Sequence, residues 1–345
     1  MILYAGNILS SHGFTPTFIE LLTPKLSEYY NIKSVSDKKE QSLRMWDMIT
    51  TLLKNKNEIK LVLVDSYSLK AFWYTYAIAK ICIHYKIPYI PILRGGSYPE
   101  RLKRSPALCK IIFSNSVKNI SPSLYLKKFF EDDGFEVEYI PNFIPVKDYK
   151  FKERAQVHAK LLWVRSFDKT YNPLLAIEIL KNLKLKYSDA TLCMVGPDKD
   201  ETLQRVIDKA NEYGLSNSLK LTGMLSKKDW TKLSEEYDIF INTTDFDNHP
   251  VSVIEGMALG LPVISTSVGG IPYLIDHGVN GILVPPKDAD NFVEQIENLI
   301  SHNELVKSIT SVARKKVESF DWDVLKSKWF SVIDPFVKNK SECRS

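Results

Sequence analysis

Residues 239–286 constrain the fold most. They read as an apolar strand, a polar loop, a short helix, a second strand, a glycine turn, a helix and a third strand. Short buried strands separated by helical stretches need crossover connections, and so a parallel sheet. Glu255 falls one turn into the first helix. Asp247 lies in the loop before it, with seven residues between them. An acid near a helix amino terminus at the end of a parallel strand is where such folds bind nucleotides.

The same alternation runs along the rest of the chain. In the first half, strands are expected at 2–5, 59–64, 89–93, 110–113, 119–120 and 137–140. Helices are expected at 15–29, opened by Thr15-Pro16, and at 69–85 and 123–132. The polar stretch 145–157 has no clear period and reads as a linker. Beyond it come strands at 160–164, 190–195 and 218–222, with helices at 174–185 and 201–213. Asp288 or Asp290 caps a last in-domain helix at 291–301. Gly260 and Gly278 are each placed just past a helix end. At 345 residues the chain fits two α/β domains of about 150 each. The boundaries are 1–150, 151–319 and a tail helix from 320 to 345 that packs across the domain seam.

Charge is uneven. Residues 1–150 hold 21 Lys and Arg against 14 Asp and Glu, a balance of +7, whereas the remainder holds 25 against 27. A basic first half suits an anionic partner or membrane surface, and equally a solvated lysine face. The longest apolar run, 71–79, is far short of the roughly 20 residues that span a bilayer. Membrane contact is therefore expected to be peripheral. No cationic leader opens the chain, and Cys82, Cys109, Cys193 and Cys343 lack metal spacing, so a cytoplasmic, reducing location is expected.

Several turns carry polar groups suited to chemistry. Gly6 to Gly13 follows the first strand and either approaches a phosphate or serves as an ordinary turn, and His12 lies within it. Arg94-Gly95-Gly96 ends another strand, with Arg101, Lys103 and Arg104 close behind. It reads as an acceptor-side anion site or as the start of a solvated basic helix. Arg165 and Lys169 follow the first strand of the second half and suit a diphosphate, or pair with surface carboxylates. Asp247 and Glu255 suit binding of sugar and ribose hydroxyls, or act as caps. His249, between them, touches ligand or bonds within its loop. Asp245-Phe246-Asp247 matches a D-x-D pattern, but the pattern recurs at 198/200, 288/290 and 321/323. No metal is predicted from it.

At these residues the chain resembles the family-4 retaining glycosyltransferases of the GT-B fold, the glycosyl transferases group 1. The resemblance is strongest over 162–284. It rests on the run from Pro250 through Glu255 to Gly260-Leu261-Pro262, on Val268-Gly269-Gly270, Asn280-Gly281, Thr222-Gly223 and Gly196-Pro197, and on Pro141-Asn142 at the linker. It implies two Rossmann-like, doubly wound α/β domains facing an interdomain cleft. The first binds acceptor and the second binds the nucleotide-sugar donor. The implied reaction moves a sugar from a UDP- or GDP-linked donor to an acceptor hydroxyl with retention, in polysaccharide or glycolipid biosynthesis. No metal or other cofactor is implied, because basic groups and helix amides neutralise the diphosphate. The donor phosphate oxygen takes the acceptor proton.

Carried over by position, the catalytic set is Arg165, Lys169, Asp247 and Glu255, with Glu255 on the ribose. Donor contacts fall to Gly13, Gly196, Pro197, Thr222, Gly223, Met224, Leu225, His249, Pro250, Val251 and Ser252. His12, Arg94, Gly95 and Gly96 stand on the acceptor side. The family's first acid is usually Glu, and Asp247 is one methylene shorter. Arg165-Ser166 replaces its usual Gly-Arg pair, and its frequent acceptor-side histidine is replaced by Arg94-Gly95-Gly96. The implied partners are a nucleotide sugar and a glycan or lipid-linked acceptor, with no nucleic acid, and the basic first half adds peripheral contact with an anionic membrane as an expectation. A sugar-nucleotide epimerase of the same architecture, or a non-catalytic nucleotide-sugar binding module, is the alternative. Donor incubated alone separates the first by isomer formation, and an acceptor screen separates the second.

Overall fold

The computed structural model describes residues 1–13 and 16–338. Thr15, placed at the first helix start, and Cys343 lie outside the described residues. The chain divides into two compact units, 1–142 together with 325–345, and 143–324.

In the first unit six strands form one sheet: β1 (Ile2–Ala5), β2 (Ile32–Val35), β3 (Leu61–Ser66), β4 (Tyr89–Leu93), β5 (Asn119–Ser121) and β6 (Val137–Tyr139). Their order is β2-β1-β3-β4-β5-β6, and every pairing is parallel. β1, β3 and β4 are buried along their whole length, as a sheet covered on both faces requires. Six helices cover it: α1 (Phe18–Ser27), α2 (Gln41–Lys54), α3 (Phe72–Tyr85), α4 (Tyr98–Arg104), α5 (Pro106–Phe113) and α6 (Leu124–Asp132). The chain reverses direction between β1 and β3, so the loops after these two strands meet at one carboxyl edge.

One expected strand is corrected. Residues 110–113 belong to α5, which opens with Pro106 in its first turn. Cys109, Ile112 and Phe113 bury at helical spacing. A short apolar run fits both periods, and Pro106 decides between them. β2 and α2 went unrecognised. Only Val35 of β2 is buried, and α2 opens at Glu40 without a side-chain cap.

The second unit holds β7 (Lys160–Val164), β8 (Thr191–Val195), β9 (Leu219–Leu221), β10 (Ile239–Asn242), β11 (Val263–Thr266) and β12 (Ile282–Val284). Their order is β12-β11-β10-β7-β8-β9, again all parallel. The helices are α7 (Pro173–Lys184), α8 (Thr202–Glu212), α9 (Lys227–Leu233), α10 (Val251–Ala258), α11 (Ile271–Leu274), α12 (Ala289–Ser301) and α13 (Asn303–Glu318). Asp288 caps α12, its side chain accepting from the Asn291 amide at 2.9 Å. α13 follows α12, so the helix capped by Asp288 is not the last. Gly260 sits just past α10 at φ +74°, as expected. Gly278 instead belongs to a turn in which its amide donates to the Gly281 carbonyl at 2.9 Å.

The stretch 145–157 is packed into this unit rather than free. Arg154 is buried and donates to the carbonyls of Lys152, Ser234, Tyr237, Leu259 and Gly260. Burial pulls its pKa down to about 10 against the opposing pull of Asp238 and Glu235. A polar sequence therefore reads as a linker while its side chains stitch carbonyls together. The last helix, α14 (Trp322–Val337), counts with the first unit from Leu325 on. There Trp329 is buried beside Phe18, and the Tyr30 hydroxyl donates to Asp334 at 2.6 Å.

Candidate active site at the carboxyl edge of the second sheet

The strand order of the second sheet reverses between β7 and β10, and the polar groups gather where these strands end. Arg165 follows β7. Its Nη2 donates to Asp247 Oδ2 at 2.6 Å, and its Nε donates to Asn242 Oδ1 at 3.3 Å. Its guanidinium lies 4.8 Å from the Tyr171 ring centroid. The side chains of Arg165 and Asp247 are only 12% and 14% exposed, so this is a largely desolvated ion pair. Asn242, the last residue of β10, is held in turn by donating to Ser265 Oγ at 2.8 Å. The Tyr171 phenol is pushed up by burial and by the charges of Asp247 and Asp168, against the pull of Arg165.

The loop carrying Asp247 is clamped through its backbone. The Gly270 amide donates to the Asp247 carbonyl at 2.8 Å. A Cβ on Gly269 would meet that oxygen at 2.2 Å, and one on Gly270 would meet the Asn248 carbonyl oxygen at 1.8 Å. The two glycines after β11 are thus fixed by close backbone approach.

α10 starts immediately after this loop, with Pro250 as its cap residue. The first amides of a helix have no intrahelical acceptor and carry the positive end of its dipole. Ser252 Oγ, in this first turn, is buried with no hydrogen-bond partner among the described residues. Glu255 is buried on the same helix. Its Oε1 accepts from the Tyr149 hydroxyl at 2.6 Å and lies 2.7 Å from Lys227 Nζ. Burial and then the Glu255 charge push the Tyr149 phenol far up, so it stays a donor. His249 is buried with its ring edge-on to Phe320, centroids 5.8 Å apart.

The segments expected to line the donor base end β8 and β9. The Gly196 amide donates to the Gly223 carbonyl at 2.9 Å, and the Pro197 carbonyl accepts from the Phe167 amide at 2.8 Å. Thr222 Oγ1 donates to the Gly223 carbonyl at 2.9 Å, Met224 is exposed, and Leu225 packs on the core. Gly196 has φ +153°, and a Cβ there would lie 1.7 Å from the Arg165 carbonyl oxygen. Gly196→Ala is therefore expected to cost about 3 kcal/mol or more. A lowered urea midpoint checks it, and an unchanged midpoint counts against the close approach.

The structure therefore brings Arg165, Asp247, Glu255 and the amino end of α10 to one edge. Lys169 is exposed in the turn Lys169–Tyr171, where its amide donates to Asp200 Oδ2 at 3.2 Å. Asp247 and Arg165, expected to act on different parts of a ligand, are bonded to each other. The two carboxylates of the D-x-D pattern serve different partners, since Asp245 accepts from Asn172 Nδ2 at 3.2 Å. In the first unit, Gly13 closes a 3-10 turn at φ +83°, and His12 Nε2 lies 2.8 Å from the Asp37 carbonyl. Arg94 is turned inward. It meets Asp65 Oδ1 at 3.4 Å and Asn142 Oδ1 at 2.5 Å, and stacks 3.5 Å over Phe18. Gly95 is fixed because a Cβ would meet the Ser68 amide nitrogen at 2.3 Å, and Gly96 is partly buried.

Four site residues escaped sequence reasoning: Tyr149, Tyr171, Lys227 and Asn242. Lys227 had a signal, since Ser226 and Asp229 form a helix start whose cap bond is 3.2 Å. Tyr149 had none, because its partner lies 106 residues away.

Residues 147–316 match the model of the family glycosyl transferases group 1. That stretch is just under half of the chain, and over it the chain is similar to that family. An amylovoran biosynthesis glycosyltransferase of Erwinia amylovora is 34% identical over 111 residues, 30% of this chain and 27% of that protein. A sulfoquinovosyl transferase of Arabidopsis thaliana is 26% identical over 152 residues, 43% of this chain and 28% of that protein. The chain thus matches under a third of either relative. The HepE structure from Anabaena in complex with UDP aligns with TM-score 0.79 at 16% identity, covering 97% of this chain and 99% of that one. At that identity the likeness speaks for the fold, and the fold is GT-B.

Proposed function

We propose that the chain is a retaining glycosyltransferase of family 4. It moves a hexosyl group from a UDP- or GDP-linked sugar to a hydroxyl of a glycan or lipid-linked acceptor in polysaccharide or glycolipid biosynthesis. The observation that carries this reading is the largely desolvated Arg165–Asp247 pair beside the amino end of α10, with Glu255 on that helix. A diphosphate needs positive groups that do not have to reorganise, and a guanidinium fork with helix amides supplies them. Lys169 adds a mobile charge from its exposed turn. Glu255 accepts ribose hydroxyls, and Gly196, Thr222 and their neighbours line the base. The reading is in keeping with the UDP bound in the HepE structure and with the amylovoran biosynthesis role of the Erwinia glycosyltransferase.

In this reading the anomeric carbon–oxygen bond breaks as the acceptor oxygen attacks from the same face. The acceptor proton passes to the departing phosphate oxygen, so no protein base is needed. The growing negative charge falls on Arg165, Lys169 and the α10 amides, without a metal. His12, Gly13, Gly95 and Gly96 stand at the carboxyl edge of the first sheet on the acceptor side, and Arg94 is held there by Asp65 and Asn142. Among the described residues no helix is long and apolar enough to cross a membrane. We place the enzyme at the cytoplasmic face as a peripheral protein.

A thermal-shift panel of nucleoside diphosphates and their sugars tests the donor half. Saturation at about 100 times Kd stabilises the bound state by about 2.7 kcal/mol. UDP or GDP is expected to raise Tm, and the cognate sugar nucleotide to raise it further. A panel in which no nucleotide moves Tm overturns the reading.

A further inference from the structure

We propose that the outward face of α2 and α3 docks on an anionic lipid surface. This names the surface for the peripheral contact proposed above and needs nothing from the sugar-transfer reading. α2 buries Arg44, Met48 and Leu52 at intervals of four. It turns Leu43, Trp46 and Leu53 outward on another side, with half-buried Thr50 between the last two. Trp46 is 65% exposed and Leu43 56%. A helix with one packed side has no internal use for tryptophan on the other.

The neighbouring helix does the same. α3 packs against α2 and exposes Trp73 at 51%, with Leu69 just ahead of it at 66%. Trp73 meets Tyr76 edge-on at 6.1 Å. Both helices follow strands of a parallel sheet, so both begin at its carboxyl edge. Among the described residues of the first unit, the four most exposed apolar side chains therefore lie at matching ends of two adjacent helices.

Basic groups are anchored at the start of each helix. Buried Arg44 donates to the carbonyls of Lys38 and Lys39 at 2.7 and 3.1 Å, which holds both exposed lysines at the start of α2. Arg101 donates to the Ser68 carbonyl at 2.7 Å and stacks 4.6 Å from the Phe72 ring centroid. This brings Lys103 and Arg104 next to the start of α3, where Lys70 is also exposed. Acids near them are Asp37, Glu40, Asp47 and Glu100. Asp37 pairs with Lys38 at 3.3 Å, and Asp47 accepts from Ser36 Oγ at 2.5 Å. The cations outnumber these acids. Tryptophan with lysine and arginine around an apolar stripe is the composition that settles at a bilayer interface and prefers anionic headgroups. A protein groove would be matched by the apolar stripe alone.

Flotation of the full chain with vesicles of phosphatidylcholine, with and without phosphatidylglycerol, tests the assignment. The chain is expected to float with the anionic vesicles and to be released by salt. Trp46→Ala with Trp73→Ala is expected to weaken flotation about tenfold or more. Lys38→Glu with Lys39→Glu is expected to remove most of the preference for phosphatidylglycerol. Leu185→Ala, an exposed leucine of the second unit, is expected to change nothing. An unchanged urea midpoint in the tryptophan variant shows that it is folded. No flotation with either vesicle, or full flotation of the folded tryptophan variant, overturns the proposal. So does a wild-type dimer that the tryptophan variant loses while neither protein floats, which gives the face to a second copy. Because no donor or acceptor is present, these outcomes leave the transfer reading untouched.

Discussion

Arg165→Ala is expected to lower kcat by about 10²- to 10³-fold, as loss of one preorganised donor to a developing oxyanion does. Two bonds fix the guanidinium, 2.6 Å to Asp247 and 3.3 Å to Asn242. They hold the fork at the strand end while leaving other N–H groups for the leaving diphosphate. The substitution also strands a carboxylate that is only 14% exposed, at a cost of about 2 kcal/mol in folding. The two effects can be told apart. Adding Asp247→Asn removes the stranded charge, so the urea midpoint should recover while kcat stays low. Arg165→Lys keeps a charge without the fork and should fall between. Wild-type turnover in folded Arg165→Ala would remove Arg165 from the chemistry and leave it a structural brace.

Much of this arrangement can be read from the chain because buried parallel strands are written as continuous apolar runs. β1, β4, β7 and β8 stand within a residue of where those runs place them. Arg165, Asp247 and Glu255 are legible for the same reason, since each follows a strand at the edge where loops converge. What fails is what local pattern does not encode. The run at 110–113 carries no information on its period beyond Pro106. The stretch 145–157 looks solvated because arginine and tyrosine conceal their bonds to distant partners. Tyr149 reaches Glu255, and Arg154 reaches carbonyls as far as Gly260. The pairing of Arg165 with Asp247 is invisible for the same cause: two side chains assigned to separate tasks turn out to set each other's position. Glycines are intermediate. Gly260 announces a helix end, but the reason Gly196 cannot carry a side chain is the Arg165 carbonyl, on another strand end.

Glu255→Ala is expected to raise the donor KM by about 10- to 100-fold and to change kcat far less. A carboxylate that accepts ribose hydroxyls contributes about 1.5–3 kcal/mol. It makes the same contact before and during bond breaking, so its loss weakens binding uniformly. The carboxylate is ready for this because Oε1 is already held from two sides, by the Tyr149 hydroxyl and Lys227 Nζ. Tyr149→Phe removes one of these donors and keeps the charge, so it should raise donor KM only a few-fold. Lys227 is about half exposed, and Lys227→Ala should act more weakly still. The order Glu255→Ala, Tyr149→Phe, Lys227→Ala in donor KM, with acceptor KM unmoved, is the signature of a ribose-holding acid with two supports. Initial rates against donor concentration at fixed acceptor give it directly. If folded Glu255→Ala binds donor as tightly as the parent chain, the buried acid serves only to pin Tyr149 and Lys227 against α10.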